Sequence, residues 1–138
     1  MKKFSLPFFL LYISFTFGQV KWMTLEQAVE AQKTIPKKIL IDFYADWCGP
    51  CRALLPVLES VSNDYADDIV VAKINVDLNP DLAAKFSVRS IPAVFLMKNG
   101  AVVDQFTGVQ GRTEIDKRIE QLISANIDKT IKLNIMPN

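Results

Sequence analysis

The stretch ILIDFYADWCGPCRALLP, residues 39–56, carries an apolar run straight into a pair of cysteines. Ile39 to Ala45 is β-branched and aromatic, with Asp42 as its one charged interruption. A run of that kind and length reads as a buried central strand. Beyond it, Cys51, Leu54, Leu55, Leu58 and Val61 recur at helical spacing, which predicts a helix bent at Pro56. Cys48 thus sits where strand hands over to helix, and Cys51 lies one turn inside.

These are the only two cysteines in the 138-residue chain. Residues at i and i+3 share a helix face, close enough for a disulfide to close with little backbone movement. A helix N-terminus presents unpaired N–H groups and a partial positive charge, which favour a thiolate at Cys48. The thiolate is the species that attacks a disulfide, so Cys48 is expected to be exposed and acidic, with Cys51 buried. Pro50 suits the first turn because the amide hydrogen it lacks has no partner there, and Gly49 leaves room for another chain. A purely structural bridge across so small a loop would constrain the unfolded chain little. Zinc needs four ligands, and one CxxC without histidine supplies two. Covalent haem needs CxxCH, and Arg52 follows Cys51. Redox exchange by the dithiol pair is the strongest reading, with no metal and no further cofactor.

Asp42 has its own logic. An unpaired buried carboxylate costs on the order of several kcal/mol unless it is protonated or paired. Such a group has a raised pKa and is suited to take the proton of Cys51 when that thiol resolves an intermediate. The alternative is an edge position with Asp42 pointing to solvent.

Composition narrows the remaining classes. Half the residues are apolar and 22% are charged, which is the composition of one folded domain. The formal net charge is +1; setting aside Lys2 and Lys3 leaves 14 basic against 15 acidic residues. That balance lacks the basic footprint of a nucleic-acid binder. The chain has no histidine, which removes His-dependent base catalysis and Cys-His nucleophile pairs.

The remainder reads as alternating elements. Thr24-Leu25-Glu26-Gln27 has the form of a capping box, opening a helix with Leu25, Ala28, Val29 and Gln32 on its apolar face. The segment from Lys33 to Lys38, with Pro36, ends it. Ile69 to Val76 is a second strand, and Asn79-Pro80 starts a short helix with Asn79 as N-cap. Ala93 to Met97 and Val102 to Phe106 flank Asn99-Gly100, a strong hairpin signal. A last helix spans Thr113 to Ser124, and Thr130 to Ile135 alternates as an edge strand or a loose tail. With a short strand at the start, the order predicts a mixed α/β sheet with helices on both faces. Strands linked through helices are expected to be parallel, with the terminal hairpin as an antiparallel edge.

The first residues, MKKFSLPFFLLYISFTFGQ, place two lysines before an apolar stretch from Phe4 to Phe17. That is short for a membrane span and fits a secretory signal, cut after Gly18. The expected organisation is a signal peptide at 1–18 and one domain at 19–138, with 125–138 as an extension. A buried N-terminal helix or an uncleaved anchor is the other reading.

ILIDFYADWCGPCRALLP resembles the active-site segment of the thioredoxin family. SIPAVFLMKNGAVVDQFTG, residues 90–108, and VAKINVD, residues 71–77, are similar to further segments of that family. The resemblance spans roughly residues 20–124 and implies a thioredoxin fold. It further implies that Asp42 is a buried carboxylate beneath the disulfide, Lys73 its charged neighbour, and Pro92 a cis-proline facing the cysteines. Read from the residues, Trp47 is either core packing or a bulky ring that shields the reactive sulfur from water. Arg89, Ser90 and Ile91 would hold a substrate as an added strand. The function implied is thiol–disulfide exchange that reduces protein disulfides, with Gly49-Pro50 the reducing type of dipeptide. Combined with the leader, this gives a monomeric reductant in the periplasm or another extracytoplasmic space. Its partners would be disulfide-containing client proteins and a membrane thiol-electron donor. The rival classes are an exported thiol oxidase or isomerase and a non-catalytic peptide-binding module.

Overall fold

The computed structural model describes residues 22–34 and 37–135. The expected signal at 1–18 and the break at Pro36 lie outside them. The elements are α1 (Leu25–Thr34), β1 (Lys38–Tyr44), α2 (Gly49–Asp64), β2 (Ile69–Asn75), α3 (Pro80–Lys85), β3 (Ala93–Lys98), β4 (Ala101–Thr107) and α4 (Arg112–Ile135). They build one four-stranded sheet in the order β2-β1-β3-β4. The expected short first strand is reduced to a parallel bridge from Met23 to Ala72.

β1 runs parallel to β2, from Lys38 opposite Ile69 to Tyr44 opposite Asn75. β3 runs antiparallel to β1, with Ala93 opposite Phe43 and Met97 opposite Ile39. That corrects the expectation that every helix-linked strand is parallel. The six residues of α3 measure about 9 Å, whereas a seven-residue strand such as β1 runs about 23 Å. α3 is too short to carry the chain back along the sheet, so β3 enters at the end where β2 left. The β3–β4 hairpin turns at Asn99 (φ 52°) and Gly100 (φ 78°), the paired left-handed residues an Asn-Gly turn supplies.

Helices cover both faces. Leu54, Leu58 and Val61 of α2 and Ile115, Ile119 and Leu122 of α4 pack over Leu40, Val71, Val94 and Leu96. On the other face Ala28 of α1 and Leu82 of α3 join Ile41, Phe43, Ile74 and Phe95. Phe43, Phe86 and Phe95 meet there with centroids 5.3–5.5 Å apart, a tilted and edge-on cluster of the favoured kind.

Local details follow the sequence with three exceptions. The capping box forms, Thr24 N–H donating to Gln27 Oε1 at 3.1 Å and Gln27 N–H to Thr24 Oγ1 at 3.3 Å. Val29, expected on the buried face of α1, is exposed, because Leu25 and Ala28 define a narrower stripe. Asn79 does precede α3, yet its side chain makes no cap bond. Its Nδ2 donates instead to the Asn75 carbonyl at 3.0 Å. Finally, 130–135 is neither strand nor tail but the end of α4. No glycine or proline stands between Gly111 and Pro137, so nothing stops the helix at Ser124.

Candidate active site

β1 ends at Tyr44, and α2 starts at Gly49 after four intervening residues. Cys48 N–H donates to the Ala45 carbonyl at 3.1 Å, closing the turn. Cys48 is the N-cap of α2, and its Sγ accepts from the Cys51 N–H at 3.2 Å. The sulfur therefore occupies the place where a helix stabilises negative charge. Cys48 and Cys51 are joined as a disulfide with Cα atoms 5.3 Å apart.

The expected contrast in exposure is not seen. Cys48 is 3% exposed and Cys51 5%, so in the bridged state both are buried. The asymmetry lies in what they face. Cys48, with Trp47, Gly49 and Pro50, lines a cleft of about 490 Å³, and Cys51 does not. The bridge packs the two sulfurs against each other, and Ala45, Tyr44, Val76 and Ile91 enclose them. A Cβ built on Gly49 would meet no atom within 4 Å, so glycine keeps clear the space outside the chain.

Asp42 is in the central strand and 1% exposed, which rules out the solvent-facing edge position. Strand alternation puts it on the same face as Leu40, the face α2 covers. Lys73 is its cross-strand neighbour in β2, with Nζ 3.5 Å from Oδ2. Among the described residues nothing hydrogen-bonds Oδ1. Burial pushes the Asp42 carboxyl above the ordinary aspartate range, and Lys73 pulls it back only in part. Lys73 is itself mostly buried, with Nζ 4.3 Å from the Tyr44 ring centre and 4.9 Å from that of Trp22.

The far wall of the cleft is Val88, Arg89, Ser90 and Ile91, facing Cys48. The Ile91–Pro92 peptide is cis, as the resemblance implies. Pro92 is buried, and its carbonyl accepts from Gly108 N–H at 2.8 Å. Among the described residues no turn or loop backbone bond uses Arg89, Ser90 or Ile91. That leaves backbone groups beside the sulfur with which an extended peptide is able to pair.

Trp47 is not core packing. It is 69% exposed, and its Nε1–H donates to Asp77 Oδ2 at 2.9 Å. Sequence reasoning does not single out Asp77, although it closes the VAKINVD segment. Its backbone N–H is in turn held by Asn75 Oδ1 at 2.9 Å. Trp22 and Tyr44 around Lys73 escape it too, since nothing local marks a distant aromatic as a lysine's neighbour. Among the described residues no three His, Cys, Asp or Glu side chains gather as metal ligands.

The sequence model of the family described as Thioredoxin matches residues 19–121. The thioredoxin of Chlorobaculum thiosulfatiphilum is 45% identical over 87 residues, covering 63% of this chain and 81% of that one. The thioredoxin of Alicyclobacillus acidocaldarius is 39% identical over 98 residues, covering 71% and 90%. Among solved structures, Fasciola hepatica thioredoxin superposes with TM-score 0.62 at 32% identity, covering 71% of this chain and 93% of that one. The germline-specific thioredoxin Deadhead of Drosophila melanogaster gives TM-score 0.65 at 27% identity, covering 74% and 97%. With the cysteine pair, the cleft and the fold in agreement, this chain belongs to the thioredoxin family and is a protein-disulfide reductase working through Cys48 and Cys51.

Proposed function

We propose that this chain is an exported thioredoxin, which reduces disulfides in client proteins outside the cytoplasm and is refilled by a membrane thiol-electron donor. The observation that carries this is the leader-like MKKFSLPFFLLYISFTFGQ set ahead of an intact Cys48-Gly49-Pro50-Cys51. Residues 1–18 are then the signal and 19–138 the working domain. An oxidising compartment re-oxidises a reductant, so the reduced pair has to be restored from the inner side of the membrane.

The site geometry supports a role for each residue. A client peptide lies along Arg89–Ile91 beside Pro92, with Trp47 and Gly49 bounding the approach. The Cys48 thiolate, favoured by the α2 N-terminus, attacks one client sulfur. The client S–S bond breaks, a Cys48–client disulfide forms, and the other client sulfur leaves as a thiolate. Cys51 then gives its proton to Asp42 and attacks the Cys48 sulfur. The Cys48–client bond breaks and the second client thiolate departs, so two electrons have passed to the client. Lys73 opposes the desolvation of Asp42, keeping enough of it ionised to accept that proton.

Thiol trapping in intact cells, with mass spectrometry of the N-terminus, tests the location and direction together. The expected protein starts at Gln19 in the extracytoplasmic fraction, with a largely reduced pair that becomes oxidised when the donor is removed. A Cys51→Ser variant should hold clients as mixed disulfides through Cys48. An intact N-terminus in the cytoplasm overturns the export. A mostly oxidised pair, with nascent many-cysteine proteins as trapped partners, makes the chain an oxidase.

A further inference from the structure

The Asp42–Lys73 pair has neighbours that the dithiol reaction does not by itself account for. Lys73 Nζ lies 3.5 Å from Asp42 Oδ2 and also over two rings, Tyr44 at 4.3 Å and Trp22 at 4.9 Å. Those distances fall within the reach of a cation–π interaction, which is strongest with indole and strengthens when the ammonium is desolvated. Trp22 reaches this place by a backbone device. Met23 bridges Ala72, and the Lys73 N–H donates to the Met23 carbonyl at 3.1 Å. The segment that carries the indole is thus fastened to the residue whose side chain the indole covers. Tyr44, the second ring, packs against the Cys48–Cys51 cluster. A chain of contacts therefore runs from the segment before α1, through Lys73, to Asp42 and the cysteines.

We propose that Trp22 is a positioning residue for the dithiol reaction: its indole face, with the Tyr44 ring, boxes the Lys73 ammonium and holds it against Asp42. A free lysine side chain has many rotamers and a strong pull toward water. Two rings remove most of the other places the ammonium would go. Aliphatic packing at position 22 would exclude water equally well but would leave the charge a single ring, that of Tyr44, beside Asp42. The inference rests on the reading of Asp42 as the proton acceptor for Cys51, and it adds a residue from outside the active-site segments.

The groups facing the pair are few. Among the described residues β1 brings Tyr44 beside Asp42, β2 brings Lys73 and β3 brings the uncharged Val94, while the cysteines packed against Tyr44 do not titrate while bridged. The oxidised protein therefore lets Asp42 be followed without a thiol titrating beside it. Carbon NMR of the oxidised full-length chain would follow the Asp42 carboxyl, assigned by its loss in Asp42→Asn. In Trp22→Leu the ammonium is released, the attraction weakens, and the Asp42 midpoint rises by about half a pH unit. Trp22→Phe keeps a ring face and should stay near the wild-type midpoint. In a Lys73→Met background, Trp22→Leu should add nothing, because the charge that it positioned is gone. An unchanged midpoint in a folded Trp22→Leu overturns the proposal. So does the same rise with Lys73→Met already in place, or Trp22→Phe behaving as Trp22→Leu. The proton-acceptor reading fails separately, by unchanged turnover in Asp42→Asn, so the two failures are distinguishable.

Discussion

β1 presents two faces of the same seven residues to opposite surroundings. Ile39, Ile41 and Phe43 face α1 and α3, where Phe43, Phe86 and Phe95 close an all-apolar cluster. Leu40 and Asp42 face α2, and there an ion pair is buried against apolar side chains. The first face follows the ordinary logic of a core, in which every side chain gains by leaving water. The second face gives up some of that gain at Asp42, next to the helix that carries the cysteines. The difference separates what holds this protein together from what lets it react.

Substitutions on the two faces should then have opposite signs. The largest effect is expected on the apolar face. Phe43→Ala removes the ring at the centre of the cluster and should lower stability by about 3–5 kcal/mol. Reductase activity per folded molecule should persist, as thermal unfolding and an insulin-reduction assay would establish. Loss of activity without loss of stability would break the separation.

Asp42→Asn should do the reverse and raise stability by roughly 1–3 kcal/mol at neutral pH, the scale of relieving a poorly compensated buried charge. The Lys73 ammonium left behind keeps its two rings. The pH dependence has a definite sign. The folded-state pKa of Asp42 is raised by burial, so the folded protein binds more protons than the unfolded chain across that window. Wild-type stability therefore falls as pH rises from the ordinary aspartate range through the raised value. Below that window Asp42 is protonated in both states and the penalty is absent. The advantage of Asp42→Asn should accordingly be present in neutral solution and vanish in acid, as denaturant melts at several pH values would show. An equal advantage at every pH would mean that ionisation of Asp42 is not what the fold opposes.

The smallest effect belongs to the rim. Trp47→Phe loses the bond to Asp77 but keeps a ring, and in so exposed a place stability should change by less than about 1 kcal/mol. Its effect should show instead as a raised KM for a protein disulfide. A loss of stability as large as that of Phe43→Ala would make Trp47 a core residue after all.

Part of the contrast between the two faces is legible in the amino-acid sequence. The apolar run with one aspartate, the Cys48–Cys51 spacing, the capping box and the Asn99-Gly100 turn are all local signals, and each forms as expected. The direction of β3 is not legible from element order, because it depends on whether α3 spans the sheet, which is a matter of length. The extent of α4 is hidden by an alternating pattern at 130–135 that suits a strand as well as a helix. Asp77 beneath Trp47 and Trp22 above Lys73 escape for another reason. Both partnerships join residues far apart in sequence, and neither residue type is unusual where it stands. The near-equal burial of the two cysteines follows from the bridge itself, which no spacing rule describes.

The role of the charged face rests on when the Asp42 carboxylate acts. Rapid mixing of reduced wild type and Asp42→Asn with a client disulfide, quenched in acid, separates formation of the mixed disulfide from its resolution. With Asp42 as the acceptor of the Cys51 proton, formation should proceed at the wild-type rate. Resolution should slow by roughly a hundredfold or more, so that the Cys48–client species accumulates. Resolution at the wild-type rate from about pH 6 to about pH 9 would contradict the account and return Asp42 to a structural role.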